Sequence, residues 1–285
     1  HADIYPDFDA VSRAFRLLGS LVAPTGQLCA WGEDSRVTDT LDACRAKVLR
    51  YGFVGSDFEL DATADIVAIG SHGARFDLRI GDTLVGRFDS PMAGRHNVLN
   101  ATAALLTVLD LGVSATAANE ALRAFRGVKK RQEVRGEVGG ILVLDDYAHH
   151  PTAVKETVAA IRGHYPGRKL WALFEAESNT SRRRVFHDPY LTAFSASGAD
   201  EVIFCSPLRK EGDPLTAEQL LDVGKLCSDI SERGVPARFI AEVPDIVAVV
   251  ASEAQPGDVI LAMSGRNFRG LHQDLLDALA VRFSA

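Results

Sequence analysis

The second half of the chain alternates short apolar runs with segments of helical periodicity. The runs are too short for helices, and they occupy residues 141–144, 170–174, 202–205, 238–240 and 259–263. Between two of them, residues 217–232 predict an amphipathic helix that begins with a capping box of Thr216 and Gln219. Strands that alternate with helices indicate a mostly parallel, doubly wound sheet, so a three-layer α/β domain is expected here.

The first half shows a different pattern. Residues 67–69, 75–80 and 84–88 are typical of short strands, and the Gly81-Asp82 pair predicts a hairpin turn between the last two. This part of the chain is therefore expected to contain an antiparallel meander.

Two helices are predicted after the meander. Residues 97–111 form a largely apolar segment that ends at Gly112, and Ser114 can cap a second helix that runs to Phe125. A glycine at 127 and two lysines then precede a new strand pattern. We therefore expect two domains, residues 1–128 and 129–285.

Composition excludes several classes of protein. A formal net charge of -7 and a pI near 5.6 argue against a general grip on nucleic-acid backbones. No apolar run approaches the roughly 20 residues that span a bilayer, and the four cysteines lie far apart without a CxxC pair. Reduced thiols and a cytoplasmic location are expected, with neither nucleic-acid partners nor membrane insertion.

Polar residues follow three of the apolar runs, at 145–152, 175–184 and 264–267. Ligands of open α/β sheets bind outside the carboxyl ends of the strands, so these segments are the candidate site. In the first of them, Asp146 could accept hydrogen bonds from a ribose, and His149 could contact phosphate or base. Alternatively, Asp146 and His150 cap the helix that starts at Pro151, and His149 lies on the surface. A metal held by the adjacent histidines is disfavoured, because neighbouring positions rarely chelate one ion.

Two further candidates precede these runs. Asn97 and Asn100 share a helix face beside His96, where their amides could meet a purine edge, although capping alone would explain one asparagine. Arg131 suits a phosphate, and it shares a face with Glu133 if this segment is a strand. The alternative for that pair is an exposed charge pair on an edge strand.

Four segments, in order, resemble the landmarks of the Mur ligase family: GRHNVLNATAA, KKRQEVRGE, DDYAHHPTA and FEAESNTSRR. The resemblance implies the rear half of a central ATPase domain followed by a Rossmann-like C-terminal domain. It also implies that ATP and Mg²⁺ are used to join UDP-N-acetylmuramate to the murein tripeptide L-Ala-γ-D-Glu-meso-diaminopimelate, in peptidoglycan recycling. The chain contains no GxxxxGK[ST] phosphate loop and begins at His1 without an initiator Met, so an upstream uridine-nucleotide-binding and phosphate-loop portion is expected.

The resemblance also assigns roles to residues. It implies that Arg131 and His149 act in catalysis, that Arg131 contacts the phosphates, and that Asp146 holds the ribose. The adenine side is expected at His96, Asn97 and Asn100, and a magnesium ligand at His1. The amine donor is expected at Ser178, Asn179, Thr180, Arg182, Ser264 and Phe268. A helix start that is merely solvated is the alternative for the loop at residues 178–183.

Two segments depart from the family pattern. Glu177 stands where the tripeptide-adding branch has an arginine, and Met263-Ser264-Gly265-Arg266-Asn267-Phe268 replaces M-S-N-G-x-F. Glu177 is expected to attract the ammonium of the substrate. Alternatives remain for the function: addition of L-alanine, a folate-polyglutamate or cyanophycin type of ligase, or a nucleotide-binding module without catalysis.

Overall fold

A computed structural model describes residues 4–207 and 215–284. The chain divides into two compact units, His1–Arg126 and Gly127–Ala285. Each unit has its own sheet and its own hydrophobic core.

The described part of the first unit carries a mixed five-stranded sheet in the order β1-β2-β3-β4-β5. Its strands are β1 (Gln27–Trp31), β2 (Lys47–Phe53), β3 (Ala62–Gly70), β4 (Gly73–Ile80) and β5 (Thr83–Ser90). The last three are antiparallel, which confirms the predicted meander, whereas β1, β2 and β3 run parallel. The sequence analysis missed β1 and β2, because polar residues interrupt their apolar positions.

The helices of this unit are α1 (Phe8–Ser20), α2 (Ser35–Thr38), α3 (Arg95–Asp110) and α4 (Ala115–Arg123). The predicted helix pair after the meander is confirmed. The Ser114 hydroxyl accepts the Ala117 N–H and so caps α4, as predicted. One face of α3 is buried against the sheet, where Val98, Leu105 and Leu106 join the aromatic residues of β4 and β5.

The second unit has a six-stranded sheet in the order β10-β9-β8-β11-β7-β6. Its strands are β6 (Glu133–Val138), β7 (Ile141–Asp146), β8 (Leu170–Glu175), β9 (Glu201–Phe204), β10 (Ala237–Phe239) and β11 (Val259–Ser264). Every pairing is parallel except that of β6 with β7. The five apolar runs therefore form the predicted parallel strands.

Helices cover both faces of this sheet, which confirms the three-layer prediction. One core includes residues of α5 (Pro151–His164), α6 (His187–Ser195) and α7 (Val223–Glu232). The other includes residues of α8 (Val243–Glu253) and α9 (Leu271–Ser284). Consecutive residues of each central strand point into opposite cores, as Leu142 and Val143 do.

One predicted helix, residues 217–232, is interrupted. The capping box of Thr216 and Gln219 is present, but it closes only a 3₁₀ turn at Ala217–Gln219. Leu220 then pairs with Arg183 in an isolated β-bridge, and α7 starts again behind its own cap, Asp222. The backbone N–H of Leu221 is donated to Arg182 O at 2.8 Å, so a tertiary contact overrides the helical pattern.

No helix among the described residues is long and apolar enough to cross a membrane.

Candidate functional site at the carboxyl edge of the second sheet

Three loops meet at the carboxyl edge of the second sheet, because β11 lies between β7 and β8. Ser264, at the end of β11, donates its hydroxyl to Glu175 Oε2 at 2.6 Å at the end of β8. On the other side, Gly265 faces the ring of His149, with 3.5 Å between the ring and the position that a Cβ would occupy. Three separate segments of the sequence thus form one edge, as the strand pattern predicts.

Asp146 is buried at this edge, with an exposed fraction of 2%. Its Oδ2 accepts the Gln132 N–H at 2.9 Å, and its Oδ1 accepts the Ala148 N–H at 2.8 Å and the Thr157 hydroxyl at 3.4 Å. The carboxylate therefore fixes the segments on both sides of it. Because the described hydrogen bonds of the carboxylate are to groups of the protein itself, a contact between Asp146 and a ribose stays a prediction.

The helix-capping interpretation is confirmed for the position of His150 and is wrong for Asp146. His150 is the N-cap residue of α5, but its side chain makes no capping hydrogen bond, and Asp146 accepts N–H groups that lie outside the helix. Pro151 occupies the first turn, as predicted. Partial burial lowers the pKa of His150, and the neighbouring His149 lowers it further.

His149 is half-buried, and both its imidazole ring and its backbone carbonyl are hydrogen-bonded. The Tyr147 carbonyl lies 2.8 Å from Nδ1, and the Tyr190 hydroxyl donates to the His149 carbonyl at 2.5 Å. A carbonyl can only accept, so Nδ1 carries the proton and Nε2 is the acceptor atom of the neutral ring. This arrangement orients Nε2 for a ligand or a proton.

Arg131 lies in a turn and not in a strand. Lys130 and Gln132 on either side have positive φ angles of 58° and 52°, and β6 begins only at Glu133. The predicted strand face shared by Arg131 and Glu133 is therefore wrong: the left-handed residues turn the backbone between them. Arg131 is exposed, with its guanidinium 5.8 Å from the Tyr147 ring centre, so a cation is presented beside His149.

A buried ion pair, absent from the sequence prediction, connects the loops after β8, β9 and β11. Glu175 is 1% exposed, and Arg269 donates to it at 2.8 Å while also donating to the Ser206 carbonyl at 2.8 Å.

Burial raises the pKa of the Cys205 thiol to about 12, an effect that Glu175 increases and Arg269 opposes. A cavity of about 560 Å³ is lined by Arg269 together with Asp222 and Glu242. The polar composition of the loops is the only feature of the sequence that points to this ion pair. The sequence does not show that Glu175 pairs with Arg269, which lies 94 positions later.

Glu177 forms a second ion pair across the same edge. Its side chain is 4% exposed, and its Oε1 lies 3.0 Å from Nε of Arg266 on the β11 loop. The expectation that Glu177 attracts a substrate ammonium is therefore corrected, because the carboxylate is buried against an arginine of its own chain.

The β8 loop divides into exposed and buried side chains. Ser178, Asn179 and Thr180 are half-buried and reachable from solvent. Arg182, in contrast, has no exposed surface, and one of its guanidinium nitrogens donates to Asn179 Oδ1 at 2.8 Å. A direct contact of Arg182 with substrate is therefore corrected to a structural role beneath the loop. The helix-start alternative is confirmed only for one turn: the Ser178 hydroxyl accepts the Ser181 N–H at 2.9 Å, as in a cap, whereas α6 begins only at His187.

Two residues expected to bind the amine donor lie inside the protein. Ser264 and Phe268 both have an exposed fraction of 0%. Ser264 hydrogen-bonds to Glu175, and Phe268 is part of the core formed with α8 and α9. Phe268 points inward because it and Arg269 adopt left-handed φ angles of 47° and 50°, which kink the chain before α9. Both expectations are therefore corrected.

The candidate residues of the first unit lie at the start of α3. Asn97 donates to the Ala93 carbonyl at 2.8 Å, and Asn100 donates to Asn97 Oδ1 at 3.4 Å. The two amides are therefore neighbours on one face, as predicted. His96 is half-buried beside them, and the N-cap residue of α3 is Gly94. The capping alternative for an asparagine is thus wrong.

The predicted magnesium ligand, His1, lies outside the described residues. Within residues 4–207 and 215–284 there is no cluster of three or more His, Cys, Asp or Glu side chains suited to a metal. The described cations at the carboxyl edge include Arg131, Arg266 and Lys130, whose ammonium donates to the Arg266 carbonyl at 2.6 Å. The exposed guanidinium of Arg131 fits the phosphates of a nucleotide.

Comparison with protein families matches both parts of the chain. Residues 1–108 match the Mur ligase middle domain, and residues 130–266 match the Mur ligase glutamate ligase domain.

Curated relatives include two kinds of ligase. The chain is 31% identical over 287 residues to the UDP-N-acetylmuramate–L-alanyl-γ-D-glutamyl-meso-2,6-diaminoheptandioate ligase of Escherichia coli, covering 100% of this chain and 58% of that protein. It is 29% identical over 280 residues to the UDP-N-acetylmuramate–L-alanine ligase of Desulfitobacterium hafniense, covering 97% and 59%. The chain thus spans somewhat over half the length of these relatives.

Solved structures show the same likeness. A murein peptide ligase from Psychrobacter arcticus has a TM-score of 0.64 and 28% identity, covering 97% of this chain and 56% of that one. A UDP-N-acetylmuramate–alanine ligase from Thermotoga maritima has a TM-score of 0.75 at 18% identity, covering 98% and 56%. The second comparison concerns the fold alone.

Proposed function

Because this chain belongs to the Mur ligase family, we propose that it is part of an ATP-dependent ligase that joins UDP-N-acetylmuramate to the murein tripeptide L-Ala-γ-D-Glu-meso-diaminopimelate. In this reaction ATP phosphorylates the muramate carboxylate, and the amine of the tripeptide attacks the acyl phosphate, which forms the amide and releases ADP and phosphate. The Escherichia coli relative, whose name includes this tripeptide, supports the substrate assignment. The Desulfitobacterium hafniense relative makes L-alanine the second candidate for the amine donor.

The observation that carries this proposal is the convergence of the three loops at one sheet edge. Arg131 presents an exposed cation there, and His149 presents an oriented Nε2 atom. A carboxylate and a triphosphate repel each other, so the barrier falls mainly through positioned cations. We assign Arg131 to the phosphates and His149 to contact with the reacting groups.

Asp146 contributes by position. It accepts the N–H of Gln132 at 2.9 Å and the N–H of Ala148 at 2.8 Å, and these residues adjoin Arg131 and His149. Its carboxylate thus holds the cation and the imidazole in one arrangement, and contact with the ribose is part of the same proposal. In the first unit, the adjacent Asn97 and Asn100 amides, with His96, are assigned to the adenine.

The amine donor is assigned to the exposed part of the β8 loop. Ser178, Asn179 and Thr180 remain accessible there, whereas the buried Arg182 braces the loop through Asn179. Hydroxyl and amide groups suit the carboxylates and peptide groups of a tripeptide.

The test uses the protein encoded by the complete gene, with UDP-N-acetylmuramate, ATP and Mg²⁺ supplied together with either the tripeptide or L-alanine. We expect phosphate release and a product of the mass of the tripeptide conjugate. Ligation of L-alanine instead would transfer the assignment to the second candidate. Absence of ligation with both donors would contradict the proposed function.

The 285-residue chain by itself is the matched control. Its sequence contains no GxxxxGK[ST] motif, whose backbone and lysine hold the β- and γ-phosphates of ATP. We expect no magnesium-dependent ATP hydrolysis from it, and measurable turnover would show that ATP is held in another way.

A further inference from the structure

Tyr190 carries a buried hydroxyl that connects two of the loops at the carboxyl edge. The residue lies on α6 with an exposed fraction of 0%, and its ring packs beside Phe174, Phe186 and Phe194. Its hydroxyl donates to the backbone carbonyl of His149 at 2.5 Å. The loop after β7 is therefore attached to the helix that follows the β8 loop in the chain.

The same hydroxyl is also bonded to the β8 loop. The Ser181 side chain hydrogen-bonds to it, and this bond partly offsets the rise that burial causes in the pKa of Tyr190. Ser181 is 2% exposed, and its Oγ accepts the Ser178 N–H at 3.0 Å and the Ser178 hydroxyl at 2.9 Å. A chain of three hydroxyl groups thus runs from the half-buried Ser178 to the backbone of His149.

The direction of this chain follows from its last acceptor. A carbonyl can only accept, so the single hydroxyl proton of Tyr190 is used at His149, and Tyr190 accepts from Ser181. Ser181 in turn accepts from Ser178, because its own proton is used at Tyr190. The Ser178 carbonyl, 3.3 Å from Ser181 Oγ, lies beyond the usual range for such a bond and competes weakly. Consecutive hydrogen bonds strengthen one another, so loss of any member weakens the whole connection.

Packing alone does not explain a tyrosine at position 190. Phenylalanine would fill the same space among the aromatic rings without burying a polar group, and a buried hydroxyl contributes little net free energy once its desolvation is counted. What the hydroxyl adds is a fixed distance between the segment that contains His149 and the segment that contains Ser178. These are the segments to which the reacting groups and the amine donor are assigned.

We propose that Tyr190 is a positioning residue for ligation, and that its hydroxyl holds residues 178–181 in a fixed arrangement with His149 through Ser181. This inference rests on the proposed function, since that function assigns the two segments to the two reactants. The attacking amine and the acyl phosphate have to meet in a narrow range of distance and angle, and small misplacements of a bound reactant lower the rate steeply. The hydroxyl therefore contributes to turnover more than to the binding of either substrate.

The experiment replaces Tyr190 by phenylalanine in the protein encoded by the complete gene, which keeps the ring and removes only the hydroxyl. With UDP-N-acetylmuramate, ATP and the amine donor that the parent enzyme ligates, we expect Tyr190→Phe to lower kcat about tenfold and to leave the KM for ATP within about twofold. Ser181→Ala removes the next member of the chain and is expected to lower kcat by a similar factor. Because both changes break one connection, the double variant should be no slower than the slower single variant.

Tyr165→Phe is the matched control. Tyr165 packs against the same core, but it ends α5 before β8 begins, at the opposite edge of the sheet. Because it makes no contact with the reactants, kcat of Tyr165→Phe should stay within about twofold of the parent value. Thermal unfolding of every variant establishes that the protein is folded at the assay temperature, and Ser181→Ala alone provides the test if Tyr190→Phe does not fold.

A lower melting temperature with unchanged kcat would show that Tyr190 serves only the stability of the fold, and it would overturn the inference. Multiplicative losses of kcat in the double variant would overturn it as well, because they would mean that Tyr190 and Ser181 act independently. In both cases ligation by the parent enzyme leaves the proposed function standing. Failure of the parent enzyme to ligate either the tripeptide or L-alanine would refute both.

Discussion

Individual residues at the carboxyl edge are buried charges with specific partners. Asp146, Glu175 and Glu177 each have an exposed fraction of 3% or less. An ionised carboxylate without partners is strongly destabilised in such a place, so the donors around each one are needed for the fold as well as for the site. Substitutions at these positions are therefore expected to lower the stability of the fold, in addition to any effect on catalysis.

The replacement Asp146→Ala tests this point. It leaves the part-buried N–H of Gln132 and the buried N–H of Ala148 without their acceptor, and we expect the free energy of unfolding to fall by about 2–3 kcal/mol. Urea denaturation measures this loss, and faster amide hydrogen exchange at the two residues would locate it. Glu232→Ala, at the exposed end of α7, is the control and should change stability by less than about 0.5 kcal/mol. Equal effects of the two variants would contradict the role given to Asp146.

At the scale of elements, two hairpin turns of the first unit contain glycines with different constraints. Both Gly73, the first residue of β4, and Gly81, between β4 and β5, have positive φ angles, of 91° and 53°. A Cβ at Gly73 would lie 2.0 Å from the Ser90 carbonyl oxygen, whereas a Cβ at Gly81 would meet nothing within 4 Å. The backbone of β5 thus restricts residue 73 to glycine, and only the dihedral angle favours glycine at 81.

Alanine at these two positions separates the two effects. Gly81→Ala is expected to cost about 1 kcal/mol, since it adds only the strain of a left-handed residue. Gly73→Ala should cost about 3 kcal/mol or more, because neighbouring backbone must also move. Thermal or urea unfolding of the pair measures the difference, and a cost for Gly73→Ala no greater than that for Gly81→Ala would show that the turn relaxes freely.

For the whole molecule, the second unit has a sheet and two hydrophobic cores of its own. In the described part of this unit, the six strands pair with one another, and the two cores are built from residues of its own strands and helices. Leu271, Leu275 and Leu279 of α9 are fully buried in the core shared with α8. This unit should therefore fold independently, provided that α9 is included.

We expect residues 127–285, expressed alone, to give a dispersed amide NMR spectrum and a cooperative thermal transition. Residues 127–266 are the matched control, and they should not fold cooperatively, because the truncation removes the three buried leucines together with Phe268. Cooperative folding of the shorter fragment, or failure of the longer one, would contradict this division of the core.

The sequence by itself determined the parallel strands of the second unit, the meander, the helix pair and the polar ends of the strands. These features depend on local periodicity and on turn residues, which each segment carries without reference to the others. The ordered motifs also determined the family. The sheet edge at which the polar segments converge followed from the strand pattern, since parallel strands end together.

The tertiary structure decided which side chains of those segments face solvent. Phe268 points inward at a left-handed kink, and Arg182 is buried next to the β-bridge between Arg183 and Leu220. Glu177 is paired with Arg266, which lies 89 positions later in the chain. The helix predicted over residues 217–232 breaks because the backbone N–H of Leu221 is donated to the carbonyl of Arg182. Such outcomes depend on contacts between residues that are distant in the sequence. The energies of these contacts exceed local helix propensities of ~0.5 kcal/mol per residue, and the contacts produce no periodic pattern in the sequence.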